Sequence, residues 1–325
     1  MVQDPESGSL VPFDFSHISQ QVPELKRFGY NLQTITFDPV IDSSDVNPDL
    51  WIRMAETIGS NYDKFDGFVI LHGTDTMAYS ASALSFMLQN LEKPVIFTGS
   101  QLPIGFLRTD GKENLITAIE IAAAESDGKA LVPEVCIYFE NKLLRGNRTT
   151  KLTAEHFNAF DSPNFPPLAE AGVHIRYNTR QIRYPGIRQK LSVCDTLCHN
   201  VAILKIFPGI SKDVVKAITG IPSLKAIILE TYGSGNAPTT PWFLDELTAF
   251  TFKGGIILNV TQCHGGSVEM DLYNTGRMLM ESGVLSGRDI TTEAALTKMM
   301  FLLGNYSDAY KISMLLNRSL AGEIT

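Results

Sequence analysis

Short apolar runs alternate along most of the chain with longer segments whose apolar residues recur at helical spacing. The runs cover residues 32–37, 67–71, 94–98, 134–139, 201–207, 226–230 and 255–260. Val and Ile dominate most of them, and successive positions are apolar, so neither face is patterned for water. Strands of that kind belong in a parallel sheet covered on both sides. Helical patterns fill residues 48–60, 77–91, 112–125, 212–219, 241–251 and 292–303. The first has a sharp start, with Asn47 as N-cap and Pro48 at the first helical position. Strand and helix in alternation predict an α/β protein.

The periodicity fails between Ser162 and Ser192. Prolines 163, 166, 167 and 185 interrupt that stretch, and Arg176, Arg180, Arg183 and Arg188 are scattered through it, as in a connecting segment. A chain of 325 residues exceeds the size at which single cores stop growing, so two domains are expected, 1–185 and 186–325.

Charge narrows the function classes. A net charge of −8 with no Lys/Arg cluster argues against a nucleic-acid partner. No apolar run reaches transmembrane length, and no leader pattern opens the sequence, so neither membrane nor export is expected. Cys136, Cys194, Cys198 and Cys263 follow no framework. They read as core thiols, with Cys136 and Cys263 inside buried strands. Gly105-Phe-Leu-Arg-Thr-Asp-Gly-Lys112 looks like a phosphate loop, but five residues separate its glycines and Glu113 follows the lysine. Magnesium binding needs a four-residue spacing and a Ser or Thr there.

The most informative junction is Leu71-His-Gly-Thr-Asp-Thr-Met-Ala-Tyr-Ser80. It follows an apolar run and opens a helix, and ligands of open parallel sheets sit at such strand ends. Thr74 offers a hydroxyl for chemistry and Asp75 a charge for an amine. Both residue types are also favoured helix caps, so the pair alone leaves site and cap open. His72 lacks ligand spacing to any Cys, Asp or Glu cluster and reads as a residue that orders the turn; no metal is expected. Asp42-Ser43-Ser44 lies after the 32–37 run, at another carboxyl-side loop. Its hydroxyls and amides would suit an α-carboxylate, or the loop is a cap one turn before Asn47. By spacing alone Lys151 reads as a solvated lysine after a basic turn.

The string HGTDTMAYSASALSFML resembles the asparaginase/glutaminase family, in which HGTDTM carries the second catalytic threonine and its aspartate. Asp42-Ser-Ser-Asp45, Thr98-Gly-Ser-Gln101, Arg145-Gly-Asn-Arg-Thr-Thr-Lys151 and Tyr232-Gly-Ser-Gly-Asn-Ala-Pro238 resemble the cytoplasmic branch, in the right order. The likeness runs the length of the chain. It implies a two-domain α/β fold, larger N-terminal and smaller C-terminal, each with a mainly parallel sheet flanked by helices. It implies hydrolysis of L-asparagine to L-aspartate and ammonia through a threonine acyl-enzyme, without a cofactor and in the cytoplasm. Thr74, Asp75 and Lys151 become the catalytic cluster, with Thr74 activated through Lys151 and Asp75 holding the substrate's α-ammonium. Asp42, Ser43 and Ser44 join Thr74 and Asp75 as substrate-binding residues. A homodimer or homotetramer with sites near subunit interfaces is implied, with Asn236 reaching the substrate from a neighbour. Cytoplasmic relatives can carry an effector site for asparagine. Thr150 and Cys263 fit it, but Glu230 stands where an arginine would pair with the effector carboxylate.

The same resemblance exposes a gap. In the family the first strand ends in Thr-Gly-Gly-Thr-Ile-Gly-Met, whose first threonine is acylated. Met1 stands in the place of that methionine, and no Thr-Gly-Gly-Thr occurs in the 325 residues. The expectation is that residues 1–325 alone are inactive, with the start set at an internal methionine. Alternatives are a non-catalytic amino-acid-binding or structural subunit, a glutaminase, or the amidase subunit of a tRNA-dependent amidotransferase.

Overall fold

The computed structural model of the chain describes residues 22–104, 106–186 and 189–325, with the backbone of Val2–Gln3 and Leu10–Val11. Two compact units result. One comprises Met1–Leu84, Leu88–Ser162 and Pro166–Val193; the other comprises Ser85–Met87, Pro163–Phe165 and Cys194–Thr325.

In the first unit, helix α1 (Pro48–Asn61) leads into strand β1 (Phe68–Leu71), helix α2 (Met77–Met87) and strand β2 (Val95–Thr98). Helix α3 (Gly111–Ala123) and strand β3 (Val135–Phe139) follow. β1, β2 and β3 are parallel, with Phe68 beside Val95 and Val95 beside Val135. Val95, Ile96, Phe97, Cys136 and Ile137 are fully buried, as strands covered on both faces require. The sheet continues antiparallel through β4 (Lys142–Arg145), β5 (Ala169–Ala171) and β6 (Ile175–Tyr177), in the order β6-β5-β4-β3-β2-β1.

Three sequence expectations are corrected in this unit. Residues 162–192 are more than a connector, because β5 and β6 form a hairpin on the sheet edge. Three-residue strands are too short to show a period. The helix expected to reach residue 91 stops at Met87. Leu88–Gln89 then pairs antiparallel with Ser192–Val193, a contact about a hundred residues away that no local pattern encodes. Residues 32–37 form no strand. Leu32 and Ile35 are exposed, and the backbone of this stretch joins no ladder among the described residues. A strand is defined by its neighbour, and β1 is the sheet edge here.

The second unit is a four-stranded parallel sheet, β7 (Val201–Lys205), β8 (Ala226–Thr231), β9 (Ile256–Thr261) and β10 (Val284–Ser286), in sequential order. Helices α4 (Lys212–Thr219), α5 (Pro241–Phe252), α6 (Asn274–Glu281), α7 (Thr292–Asn305) and α8 (Ala309–Leu316) accompany it. Alternate residues of β8 serve two cores. Ile228 packs with Leu258, Ala295 and Met299, while Ile227 and Leu229 pack with Phe243 and Leu247. Sequence pattern alone missed α6, β10 and α8. Cys263 is also corrected: it lies beyond the end of β9 and is exposed, whereas Cys136 is buried. Burial pushes the Cys136 thiol well above its ordinary range, with the nearby Glu134 carboxylate adding to the effect, so it is inert packing.

The chain end is tied down by a fully buried ion pair, Lys298 Nζ to Glu323 Oε1 at 2.6 Å. Lys298 also donates to the Leu316 and Arg318 carbonyls, and Glu323 accepts from the Leu320 and Ala321 amides. Among the described residues no helix is long and apolar enough to cross a membrane.

Candidate active site

The turn between β1 and α2 is held from below and from the side. His72 donates its backbone amide to Thr98 O at 2.9 Å, so the chain leaves the sheet only after that bond. Gly73 then passes against the Asp42–Ser44 loop, where a Cβ would lie 2.5 Å from Ser43 Oγ. Only glycine fits that approach. Thr76 Oγ1 closes the contact by donating to Ser43 O at 2.6 Å. Gly99 on the neighbouring strand end is equally constrained, since its Cβ would meet His72 O at 2.3 Å.

These contacts present Thr74 and Asp75 to Lys151. Lys151 Nζ lies 2.8 Å from Thr74 Oγ1 and 2.6 Å from Asp75 Oδ1. Its side chain is only 17% exposed, while that of Asp75 is 66% exposed. A pair so open to water adds little to stability. Its value is chemical: one amine touches both a hydroxyl and a carboxylate that faces solvent.

Lys151 is aimed by the segment before it. β4 ends at Arg145, and the turn Gly146–Arg148 is buried throughout. Arg145 Nε meets Glu134 Oε2 at 2.7 Å in a buried pair, and Arg145 Nη2 donates to Gln181 O at 2.7 Å. Thr149 Oγ1 donates to Arg145 O, and Thr150–Lys151 pairs with Phe160–Asp161. The GNRTTK stretch is therefore a rigid buried arm, the opposite of the solvated basic turn that its spacing alone suggested.

Asp42, Ser43 and Ser44 sit on the far side of the Gly73 turn. Asp42 Oδ1 accepts from Ser44 N at 2.9 Å and from Ser44 Oγ at 2.7 Å. Those bonds hold the Asp42 carboxyl below its ordinary range, the backbone bond contributing most and burial opposing it. Asp42 is thus the cap of the Ser43–Asp45 turn, and Ser43 is buried against Gly73.

The Thr98-Gly-Ser-Gln101 loop has braces that sequence reasoning missed. Asp110 accepts from the Gln101 and Leu102 amides, and buried Asn114 donates to Gly99 O. The false phosphate loop thus supplies a loop anchor. An Asp placed just before a helix was the available signal. Trp51 and Ser80 were also missed. Trp51 Nε1 donates to Ser80 Oγ at 2.9 Å, and Ser80 Oγ lies 2.9 Å from His72 Nε2.

In the second unit the Tyr232–Pro238 loop is firmly shaped. Asn259, buried in β9, donates to Gly235 O and accepts from Thr231 Oγ1. Thr275 Oγ1 donates to Asn236 Oδ1 at 2.5 Å, which orients the amide and leaves its NH2 group to donate. Glu230 is paired as well. Thr292 Oγ1 donates to its Oε1 at 2.8 Å, and Lys205 Nζ lies 3.3 Å from its Oε2. Lys205 and Glu230 are register partners on β7 and β8.

The structure is thus an α/β protein with a hydroxyl and a carboxylate sharing one amine at the carboxyl end of a parallel strand. Comparison supplies the family. Residues 1–183 match the model for "Asparaginase, N-terminal" and residues 200–316 that for the "Glutaminase/Asparaginase C-terminal domain". The chain belongs to the asparaginase family. It is 48% identical over 304 residues to L-asparaginase 1 of Escherichia coli (strain K12), covering 93% of this chain and 86% of that one. Its fold superimposes on L-asparaginase I from Vibrio cholerae O1 biovar eltor str. N16961 with a TM-score of 0.88 at 42% identity, covering 99% of this chain and 95% of that one. The thermostable L-asparaginase from Thermococcus kodakarensis gives a TM-score of 0.89 at 32% identity, with 98% and 94% covered.

Proposed function

We propose that this protein hydrolyses L-asparagine to L-aspartate and ammonia through a threonine acyl-enzyme, as a homodimer or homotetramer in the cytoplasm. The observation that carries the proposal is Lys151 Nζ within 2.8 Å of Thr74 Oγ1 and 2.6 Å of Asp75 Oδ1. Asp75 is the counter-charge for the substrate's α-ammonium. An ammonium that takes Asp75 leaves Lys151 without its carboxylate partner; once Lys151 has released one proton to solvent, its neutral nitrogen can accept the Thr74 hydroxyl proton. Asp42 holds the Ser43–Ser44 turn, whose remaining donors suit the α-carboxylate. No cofactor enters, because hydroxyl, amine and carboxylate suffice for acyl transfer.

The acylated threonine has no counterpart among residues 1–325. Two features favour a strand beside β1 as its carrier. Phe68 and His72 turn their amides toward β2, so Val69 and Leu71 turn theirs to the open side, where no ladder exists among the described residues. Residues 32–37, apolar enough for a strand, also join no ladder among the described residues. The 325-residue chain is therefore expected to release ammonia from L-asparagine at a negligible rate. Preceding it with an apolar strand ending in Thr-Gly-Gly-Thr-Ile-Gly should switch turnover on and raise the unfolding temperature. Enzyme-like turnover by residues 1–325, abolished by Thr74→Ala, would place the nucleophile within this chain and overturn the assignment.

A second reading keeps the pocket without the chemistry: an amino-acid-binding subunit. Failure of the extended chain to turn over, with L-aspartate binding retained, would select it.

Regulation by asparagine is not expected. An effector carboxylate brought to the carboxyl end of β8 would meet Glu230, and like charges about 4 Å apart repel by roughly 4 kcal/mol at an effective dielectric of 20. Lys205 is the base at that carboxylate, and it is already paired with Glu230. Initial rates of the extended enzyme should be hyperbolic in asparagine. A sigmoidal curve unaltered by Glu230→Arg would put an effector elsewhere.

A further inference from the structure

Beneath the Thr74–Asp75 turn runs a chain of hydrogen bonds whose direction can be assigned. His72 Nδ1 lies 2.6 Å from Gly73 O, and a carbonyl oxygen only accepts, so Nδ1 carries a proton. The ring is almost entirely buried, at 9% exposure, with the Phe97 ring edge-on at 5.8 Å. Burial pushes the His72 pKa below its ordinary value, with the Gly73 bond opposing it, so the ring is neutral. A neutral ring with its proton on Nδ1 must accept at Nε2, so Ser80 Oγ donates there at 2.9 Å. Trp51 Nε1 can only donate, and it gives to Ser80 Oγ at 2.9 Å. Every group in the series Trp51, Ser80, His72 and Gly73 O is satisfied in one direction only.

The series crosses the elements that bear the site. Trp51 is on α1, which follows the Asp42–Asp45 turn, and Ser80 is on α2, which opens after Thr76. His72 ends β1, and Gly73 O is one peptide before Thr74. Ser80 is wholly buried and Trp51 nearly so, so none of these bonds can be exchanged for water at low cost.

Building on the amidohydrolase reading, we propose that His72 and Ser80 are positioning residues: a one-way relay from Trp51 to Gly73 O that sets Thr74 and Asp75 against Lys151. Neither side chain touches substrate. Their effect is to hold the Gly73 peptide in the orientation that keeps Thr74 Oγ1 2.8 Å from Lys151 Nζ. Misplacement by about 1 Å at such a contact costs about a hundredfold in rate.

The test uses three variants of the 325-residue chain, each checked for folding by circular dichroism. His72→Asn keeps an amide N–H near the Nδ1 position and so keeps the donor to Gly73 O. His72→Gln reaches the Nε2 position instead and loses that donor. Ser80→Ala breaks the relay at its middle. Crystal structures should show the Thr74 Oγ1 to Lys151 Nζ contact opened beyond hydrogen-bond distance in His72→Gln and Ser80→Ala, and kept in His72→Asn. Calorimetric titration with L-aspartate should show the first two weakened by about tenfold or more and His72→Asn by only a few-fold, the scale of one hydrogen bond to a charged group. If all three fold but keep the contact and the affinity, the relay is mere packing and the proposal fails. If Gln or Ala prevents folding, 15N spectra of the unsubstituted chain decide, because an Nε2–H tautomer at His72 would reverse the relay and overturn it. If neither the unsubstituted chain nor the chain extended by the Thr-Gly-Gly-Thr strand binds L-aspartate, the amidohydrolase reading is what fails. The Thr74–Lys151 separation in the variants still judges the relay.

Discussion

Lys151→Met in the extended, active enzyme is expected to lower the chemical rate by about 10²–10⁴-fold while leaving the fold intact. The methionine keeps most of the lysine's length and apolar stem but has no proton to exchange, so Thr74 Oγ1 loses its contact at 2.8 Å. The structural cost should be small, because Asp75 is 66% exposed and water replaces its partner. Asp75→Ala should behave differently. Removing the counter-charge of the substrate ammonium should raise KM as well as lower kcat, a split that separates binding from proton transfer. Steady-state rates of ammonia release over a wide asparagine range measure both. Near-normal kcat and KM in the two variants would mean that Thr74, Asp75 and Lys151 are not the reacting cluster.

Glu323→Ala should be the most destabilising single change outside the site, by about 3–5 kcal/mol, because it strands a buried ammonium. Lys298 Nζ is fully buried, and burial already pushes its pKa down, with Glu323 countering that shift. The Leu316 and Arg318 carbonyls still accept from Lys298, but they carry no full negative charge. The Leu320 and Ala321 amides lose their acceptor at the same time. For that reason the double change Lys298→Met with Glu323→Leu should not restore stability, unlike many buried pairs exchanged for apolar residues. The Leu316 and Arg318 carbonyls would lose the Lys298 donor. Glu323→Gln, which keeps an acceptor oxygen, should fall between wild type and Ala. Urea titration followed by circular dichroism checks the order. An Ala variant as stable as wild type would show that the chain end is not packed in solution.

The alternation of apolar runs and helical segments carried the parallel strands β1–β3 and β7–β9, though not β4, β5, β6 or β10, because a strand buried on two faces writes its environment into consecutive residues. β2, β3, β8 and β9 all arose this way, and so did the N-cap and proline that start α1. The β5–β6 hairpin was hidden because three-residue strands are too short to show a period, and its partners lie on a sheet edge. Residues 32–37 fail for the opposite reason. Their composition suits a strand, but strand structure is a property of a pair, and no neighbour joins them among the described residues.

The site divides along the same line. HGTDTM and GNRTTK marked Thr74, Asp75 and Lys151, and the chain alone could say that one threonine and one aspartate stand where a strand becomes a helix. By itself the sequence determined the residue types, their place at strand ends, and the absence of Thr-Gly-Gly-Thr from these 325 residues. Only the tertiary structure decided that Lys151, 77 positions after Thr74, reaches its hydroxyl. The same holds for Asp42 spending its carboxylate on Ser44 and for Lys205 standing at Glu230. It is also how Trp51 and Ser80 come to lie beneath the Thr74–Asp75 turn. The physical reason is range. Propensity and periodicity act over a few residues, whereas hydrogen bonds and ion pairs join whatever the packed sheets bring within about 3 Å.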